Sequence, residues 1–199
     1  MENDIQIVDN FFSKSYQQHL YDFLTGKNTT WYFQDNISYP TKTLWNDFIA
    51  TDDMIYGTSG LAFYLKKYED NVVSGQHKEI LDDFIISIEK HFKLKVNEII
   101  RCRAMYMSPY KKKENSYNGP HIDFPDPHKT LIYYVNDSDG DTYFFEEKSL
   151  GGEIDPSKKT ICKTVSPKQG RAVLFDGYRY HSGTNPTKNS RILLNLNFT

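Results

Sequence analysis

Gly119-Pro120-His121-Ile122-Asp123 is the stretch on which the reading of this chain turns. Side chains two residues apart on a β-strand point to the same face, so His121 and Asp123 are predicted to reach one metal ion from a β scaffold. His181 stands far downstream, and Arg191 follows it in the last segment of the chain. Two imidazoles and a carboxylate can occupy one face of an iron ion and leave the other open, which is the ligand set of non-haem Fe(II) oxygenases. A third ligand so distant in sequence must come from a strand adjacent in space, and the segment 172–177 running up to His181 is read as its carrier. The long intervening loop is no obstacle, because closure entropy grows only logarithmically with length. The cationic Arg191 is placed to hold the remote carboxylate of a dicarboxylic cosubstrate.

The surrounding sequence supplies that scaffold. From Asn97 onward short β-rich runs follow one another at 99–107, 130–136, 142–145, 160–165, 171–175 and 191–198. Turn clusters such as Asn136-Asp137-Ser138-Asp139-Gly140-Asp141, Gly151-Gly152 and Asn185-Pro186 separate them. The expectation is a mainly β fold, a sandwich or double-sheet jelly roll with helices packed on one outer face. Before Asn97, Ile5-Gln6-Ile7-Val8 reads as a strand. Ser15 is a candidate cap for a helix from Tyr16 to Phe23, which Gly26 would stop. Leu81, Phe84, Ile85, Ile88 and Phe92 recur at helical spacing, a packing stripe with no catalytic meaning.

Composition limits the function classes. The 199 residues, 38% hydrophobic and 15% aromatic, suffice for one substantial core, so a single domain 1–199 is expected, with support in 1–97 and the catalytic β core in 98–199. A net charge of -2 gives no electrostatic case for nucleic acid or membrane as the main partner. Three lysines at 111–113 read as a solvated loop, although the long 108–118 insertion keeps a substrate lid open. Cys102 and Cys162 form neither a metal pair nor a disulfide framework and read as reduced core or near-core thiols. No signal peptide or run of ~20 apolar residues is visible, so a reducing cytoplasm is the expected location. Oligomeric state is left open.

Several ordered segments resemble the 2-oxoglutarate and Fe(II)-dependent dioxygenases, in their prolyl-hydroxylase-like branch. They are 119–123, Thr130-Leu131-Ile132-Tyr133-Tyr134-Val135-Asn136, Gly140-Asp141-Thr142-Tyr143-Phe144, 167–175 and the His181 to Arg191 pair, with 7–12 resembling that branch's usual start. The resemblance implies a double-stranded β-helix, another name for the jelly-roll core, with His121, Asp123 and His181 as iron ligands. It implies Arg191 as the partner of the 5-carboxylate of 2-oxoglutarate, where many collagen-type members carry lysine, with a guanidinium fork able to grip both oxygens. Tyr134 is implied as a hydrogen-bond partner of the same carboxylate, Thr142 as a residue approaching the cosubstrate, and Tyr106 as the pocket tyrosine.

The implied activity is a hydroxylase that consumes O2 and 2-oxoglutarate, releases succinate and CO2, and delivers hydroxyl to a substrate carbon. The carboxylate at Asp123 disfavours halide ligation and hence halogenation. A protein or peptide side chain such as proline is the expected substrate, with small molecules open because fold does not determine substrate. The competing readings are a non-catalytic jelly-roll module binding a metal or small carboxylate, and a hydrolytic or isomerising metalloenzyme. Simpler roles also stand beside each residue. An isolated His-x-Asp is commonly a surface pair, Arg191 alone would be a strand-end charge, and Tyr133 is a packing residue facing away from Tyr134. His128 is a loop residue, not a ligand.

Overall fold

The computed structural model describes residues 4–35, 54–55, 59–68, 73, 75–110, 117–148 and 160–199. Residues 111–116 of the expected 108–118 lid and the turn at Gly151-Gly152 lie outside these residues. In chain order the elements are β1 (Ile5–Val8), α1 (Lys14–Thr25), β2 (Tyr32–Gln34), β3 (Met54–Ile55), β4 (Gly60–Lys66), α2 (Gly75–Phe92), β5 (Ile99–Met107) and β6 (Tyr117–Asn118). They continue with β7 (Lys129–Tyr134), β8 (Thr142–Lys148), β9 (Ile161–Val165), β10 (Ala172–Asp176), β11 (Arg179–Gly183) and β12 (Arg191–Phe198).

A seven-stranded sheet runs β1-β10-β7-β12-β5-β4-β2 and a three-stranded sheet runs β11-β8-β9, with β3 and β6 as a short parallel pair. Every pairing within the two larger sheets is antiparallel. The fold is the expected jelly roll. Strand alternation divides the large sheet into two faces, and β12 shows how. Ile192, Leu194, Leu196 and Phe198 join a core with Leu20 and Leu24 of α1 and Ile80, Leu81, Phe84, Ile88 and Phe92 of α2. Leu193 joins a second core with Tyr134, Phe144, Val165 and Phe175, between the sheets. Because both faces are covered, all eight residues of β12 are buried. Both helices therefore lie on one face of the large sheet, as the packing stripe of α2 required.

Several local expectations are corrected. The cap of α1 is Ser13, whose hydroxyl accepts from the Tyr16 amide over 3.3 Å, not Ser15, and the helix starts two residues early because that hydroxyl is already in place. Gly26 does end it, in an extended conformation. The carrier of His181 is not the 172–177 segment, which is β10 in the large sheet. It is the separate strand β11 in the small sheet, reached after the turn at Gly177 and Tyr178. Cys102 is a core thiol, but Cys162 is exposed.

Candidate metal and cosubstrate site

His121 and Asp123 do not sit on a regular strand. His121 makes one isolated antiparallel bridge to His181, each amide donating to the other's carbonyl over 3.0 Å. Convergence thus comes from this single bridge, which sets the rings 4.6 Å apart, and not from strand alternation. The imidazoles are oriented by their own backbones. His121 Nδ1 lies 3.0 Å from the Gly119 carbonyl and His181 Nδ1 lies 3.3 Å from the Arg179 carbonyl. A carbonyl accepts only, so each Nδ1 carries the proton and each Nε2 keeps its lone pair for a metal.

Asp123 completes the group. Its Oδ2 lies 3.9 Å from His181 Nε2, and one ligand atom from each of His121, Asp123 and His181 falls within 4.8 Å of the others. The carboxylate is fixed from beneath by the large sheet. Arg101 Nη2 donates to Oδ1 at 2.9 Å, while Asn197 Nδ2 and Asn195 Nδ2 donate to Oδ2 at 2.8 and 3.1 Å. Burial alone would raise this carboxyl, but the Arg101 guanidinium, followed by His181 and His121, overrides it and holds it well below the ordinary carboxylate range. Burial lowers His121, and burial together with His121 lowers His181 to about 4. Two neutral imidazoles and an ionised carboxylate are the protonation states that Fe(II) ligation requires.

The same cavity extends along β12 and β5. It is lined by the three ligand residues and by Arg103, Met105, Met107, Thr142, Arg191, Leu193 and Asn195, among others. Arg191 is 2% exposed. Its Nη2 donates to Thr142 Oγ1 at 2.7 Å, the Tyr134 hydroxyl donates to the same oxygen at 2.7 Å, and the guanidinium lies 5.8 Å from the Tyr134 ring centroid. The Thr142 oxygen therefore accepts twice, leaving its own proton for a further acceptor. Arg191 Nε has no partner, and no carboxylate pairs with Arg191 among the described residues. A buried cation in that state is costly and calls for an anionic ligand.

Tyr106 is not part of this group. Met105 and Met107 face the cavity, so strand alternation turns Tyr106 to the opposite side, 6.0 Å from Trp31 and against the helix-side core. Tyr133 likewise faces the helices, packed on Phe11, Phe12 and Phe84. His128 is outside the ligand group.

The residues missed from sequence are Arg101, Arg103, Asn195 and Asn197. Their signal was the placement of polar side chains at alternate positions of otherwise apolar strands, Arg101-Cys102-Arg103-Ala104 and Leu194-Asn195-Leu196-Asn197-Phe198.

Residues 105–199 match the model of the 2OG-Fe(II) oxygenase superfamily, whose cofactor and cosubstrates are Fe(II), 2-oxoglutarate and O2. No curated protein matches the sequence significantly. A 2OG-Fe(II) oxygenase family oxidoreductase from Burkholderia pseudomallei has a similar structure, with TM-score 0.65 and 13% identity over 98% of this chain and 85% of that one. The viral collagen prolyl hydroxylase of Paramecium Bursaria Chlorella virus-1, solved with 2OG, gives 0.59 and 14% over 98% and 95%. The Trichoplax adhaerens prolyl hydroxylase, solved with a hypoxia inducible factor peptide, gives 0.55 and 14% over 98% and 83%. At these identities the likeness is one of fold.

Proposed function

We propose that this dioxygenase hydroxylates a carbon of a protein or peptide side chain, proline among the candidates, and that His121, Asp123 and His181 hold its iron. The donor set fits the ion: two Nε2 lone pairs freed by Nδ1 bonds to carbonyls, and one ionised carboxylate. Bound there, Fe(II) would supply the site at which O2 and 2-oxoglutarate react: the 1-carboxyl leaves as CO2, one oxygen atom of O2 enters succinate, and the other enters the substrate C–H bond as hydroxyl.

The chain's own residues do the positioning. Arg191 grips the remote carboxylate of 2-oxoglutarate, Thr142 donates its remaining proton to it, and Tyr134 fixes the Thr142 hydroxyl from behind. Asn195, Asn197 and Arg101 hold Asp123 so that Oδ2 faces the ligand side. The observation that carries this reading is the buried Arg191, ion-paired with no carboxylate among the described residues, in the same cavity as the three candidate metal donors.

The test is an anaerobic titration of the metal-free protein with Fe(II) and 2-oxoglutarate, read by the weak visible charge-transfer absorption of the chelate. Its appearance, followed in air by succinate formation and a gain of one oxygen atom in a candidate peptide, is the expected result. Metal binding without the absorption would instead identify a binding module.

A further inference from the structure

Arg103 is a second cation in the cavity. It lies on β5 opposite Asn195 of β12 on one side and Tyr64 of β4 on the other, so all three side chains share one face of the large sheet. The guanidinium has the Tyr64 hydroxyl within hydrogen-bonding reach, but its buried Nε has no partner. Its charge is disfavoured by burial and by the neighbouring Arg101. Among the described lining residues the cavity holds one carboxylate, Asp123, and that carboxylate is already paired with Arg101 at 2.9 Å. Among the described residues no carboxylate forms an ion pair with Arg103 or Arg191; Asp123 favours the Arg103 charge and Asp141 the Arg191 charge only from beyond ion-pair distance.

The dianionic cosubstrate does not remove the surplus. Taking the proposed function as given, Fe(II) adds two positive charges and 2-oxoglutarate brings two negative ones, so the imbalance of the described lining, Arg103 and Arg191 against Asp123 alone, persists. The two unpaired arginines also lie on different flanks. Arg191 is tied to β8 through Thr142, inside the core between the sheets. Arg103 faces β4, whose Phe63 and Leu65 join the helix-side core on the other face of the sheet, while no residue of β4 belongs to the inter-sheet core. Between the two flanks lie the apolar Met105 and Leu193, which pair directly with each other. A single short diacid seated on Arg191 and the metal leaves Arg103 unengaged on the β4 flank.

We propose that Arg103 is a specificity-determining residue that binds a carboxylate of the substrate, so that the oxidised molecule is a small carboxylic acid or a peptide bearing an acidic residue beside the oxidised carbon. A guanidinium beside a tyrosine hydroxyl offers a carboxylate two donors in a plane and one more from the side. A neutral group left against Arg103 would leave that charge desolvated and unpaired, which is the physical basis of the discrimination.

The experiment compares paired compounds on the Fe(II)·2-oxoglutarate protein. Free α-amino acids and short α-hydroxy acids are supplied each with its carboxamide, next to end-capped prolyl peptides with a flanking Glu or its Gln counterpart. Stimulation of succinate formation and perturbation of the charge-transfer absorption are read for each. Acids are expected to outperform their amides by ~10-fold or more, and Arg103→Gln is expected to erase that preference while 2-oxoglutarate affinity stays within ~threefold of wild type. Arg103→Lys, which keeps the charge, should retain part of the preference. Leading free acids would assign the carboxylate to a small molecule, and leading Glu peptides to an acidic side chain; either supports the proposal.

Amides matching acids in the wild-type protein overturns it, as does an acid preference that survives Arg103→Gln. Loss of the 2-oxoglutarate chelate in Arg103→Gln, with the fold intact by circular dichroism, also overturns it by assigning Arg103 to the cosubstrate. Failure of the wild-type protein to form the chelate at all is a different result and removes the parent reading.

Discussion

Arg101 Nη2 and Asp123 Oδ1 lie 2.9 Å apart, and the same guanidinium sits 4.6 Å from the centroid of the Phe124 ring. One arginine thus clamps the carboxylate of the ligand group while its flat face is fixed by the next residue along the loop. Phe124 is itself stacked on Tyr68 at 5.7 Å, which holds the loop carrying Asp123 against the end of β4. The aspartate lies in a bend, without a ladder to fix it, and these contacts replace the ladder.

Arg101→Met should weaken Fe(II) or Mn(II) binding by ~10-fold or more, the range found when a partner of a metal ligand is removed. Metal titration monitored by tryptophan emission checks this. An affinity equal to wild type would reduce the Arg101 contact to a surface ion pair.

Direct ligands behave more severely. His121→Ala or Asp123→Ala should abolish stoichiometric iron binding, measured by metal analysis after desalting. Retained iron with full turnover would exclude the assignment.

Arg191→Ala removes a charge-assisted bond worth ~1.5–3 kcal/mol, so 2-oxoglutarate affinity should fall by roughly 10- to 150-fold with iron binding maintained. Gly183 provides a gentler test, since a Cβ there would stand 2.7 Å from Arg191 Nη1 and 3.4 Å from its Cζ. Gly183→Ala should displace the fork and produce a smaller loss in the same constant. Binding isotherms of both variants unchanged from wild type would free Arg191 from its role.

Acid should destabilise the metal-free protein early. His181 has a folded pKa of about 4 against an ordinary 6.5, and His121 is lowered too. The unfolded chain therefore binds more protons between those values, so stability is complete above pH 6.5 and falls as pH drops toward 4. Asp123, held below the ordinary carboxylate range, contributes above pH 3.8 and loses that contribution at still lower pH. Urea midpoints at pH 7 and pH 5 should differ, and His181→Gln should narrow the difference. Coincident midpoints in wild type would contradict the buried neutral imidazoles.

Phe84 is fully buried, with its ring 4.9 Å from Phe12 and 5.5 Å from Tyr133. Phe84→Ala should cost ~3–5 kcal/mol by leaving a cavity between α2 and the sheet. Chemical denaturation measures it, and a loss below ~1 kcal/mol would mean that the helix does not hold this face.

Much of the fold was legible because periodicity is local. β5 and β12 fall where the β-rich runs at 99–107 and 191–198 were read, and the buried stripe of α2 follows its helical spacing. Helix α2 nonetheless begins at Gly75, before the stripe starts, since its first turns are polar and carry no apolar period. Strand β11 was invisible for another reason. Arg179-Tyr180-His181-Ser182-Gly183 has little β-former content, and its pairing with β8 is decided by a partner 31 or more residues away.

The three candidate metal donors, the basic residue of their cavity and the jelly-roll class were legible in the sequence alone, because donor side chains and strand alternation are written residue by residue. Only the tertiary structure decided that Tyr106 faces the helices, that Thr142 links Tyr134 to Arg191, and that Arg101, Asn195 and Asn197 grip Asp123. Those relationships depend on strand register between segments far apart in the chain. A shift of one residue in register exchanges the two faces of a strand, and no local pattern records which partner will fix it.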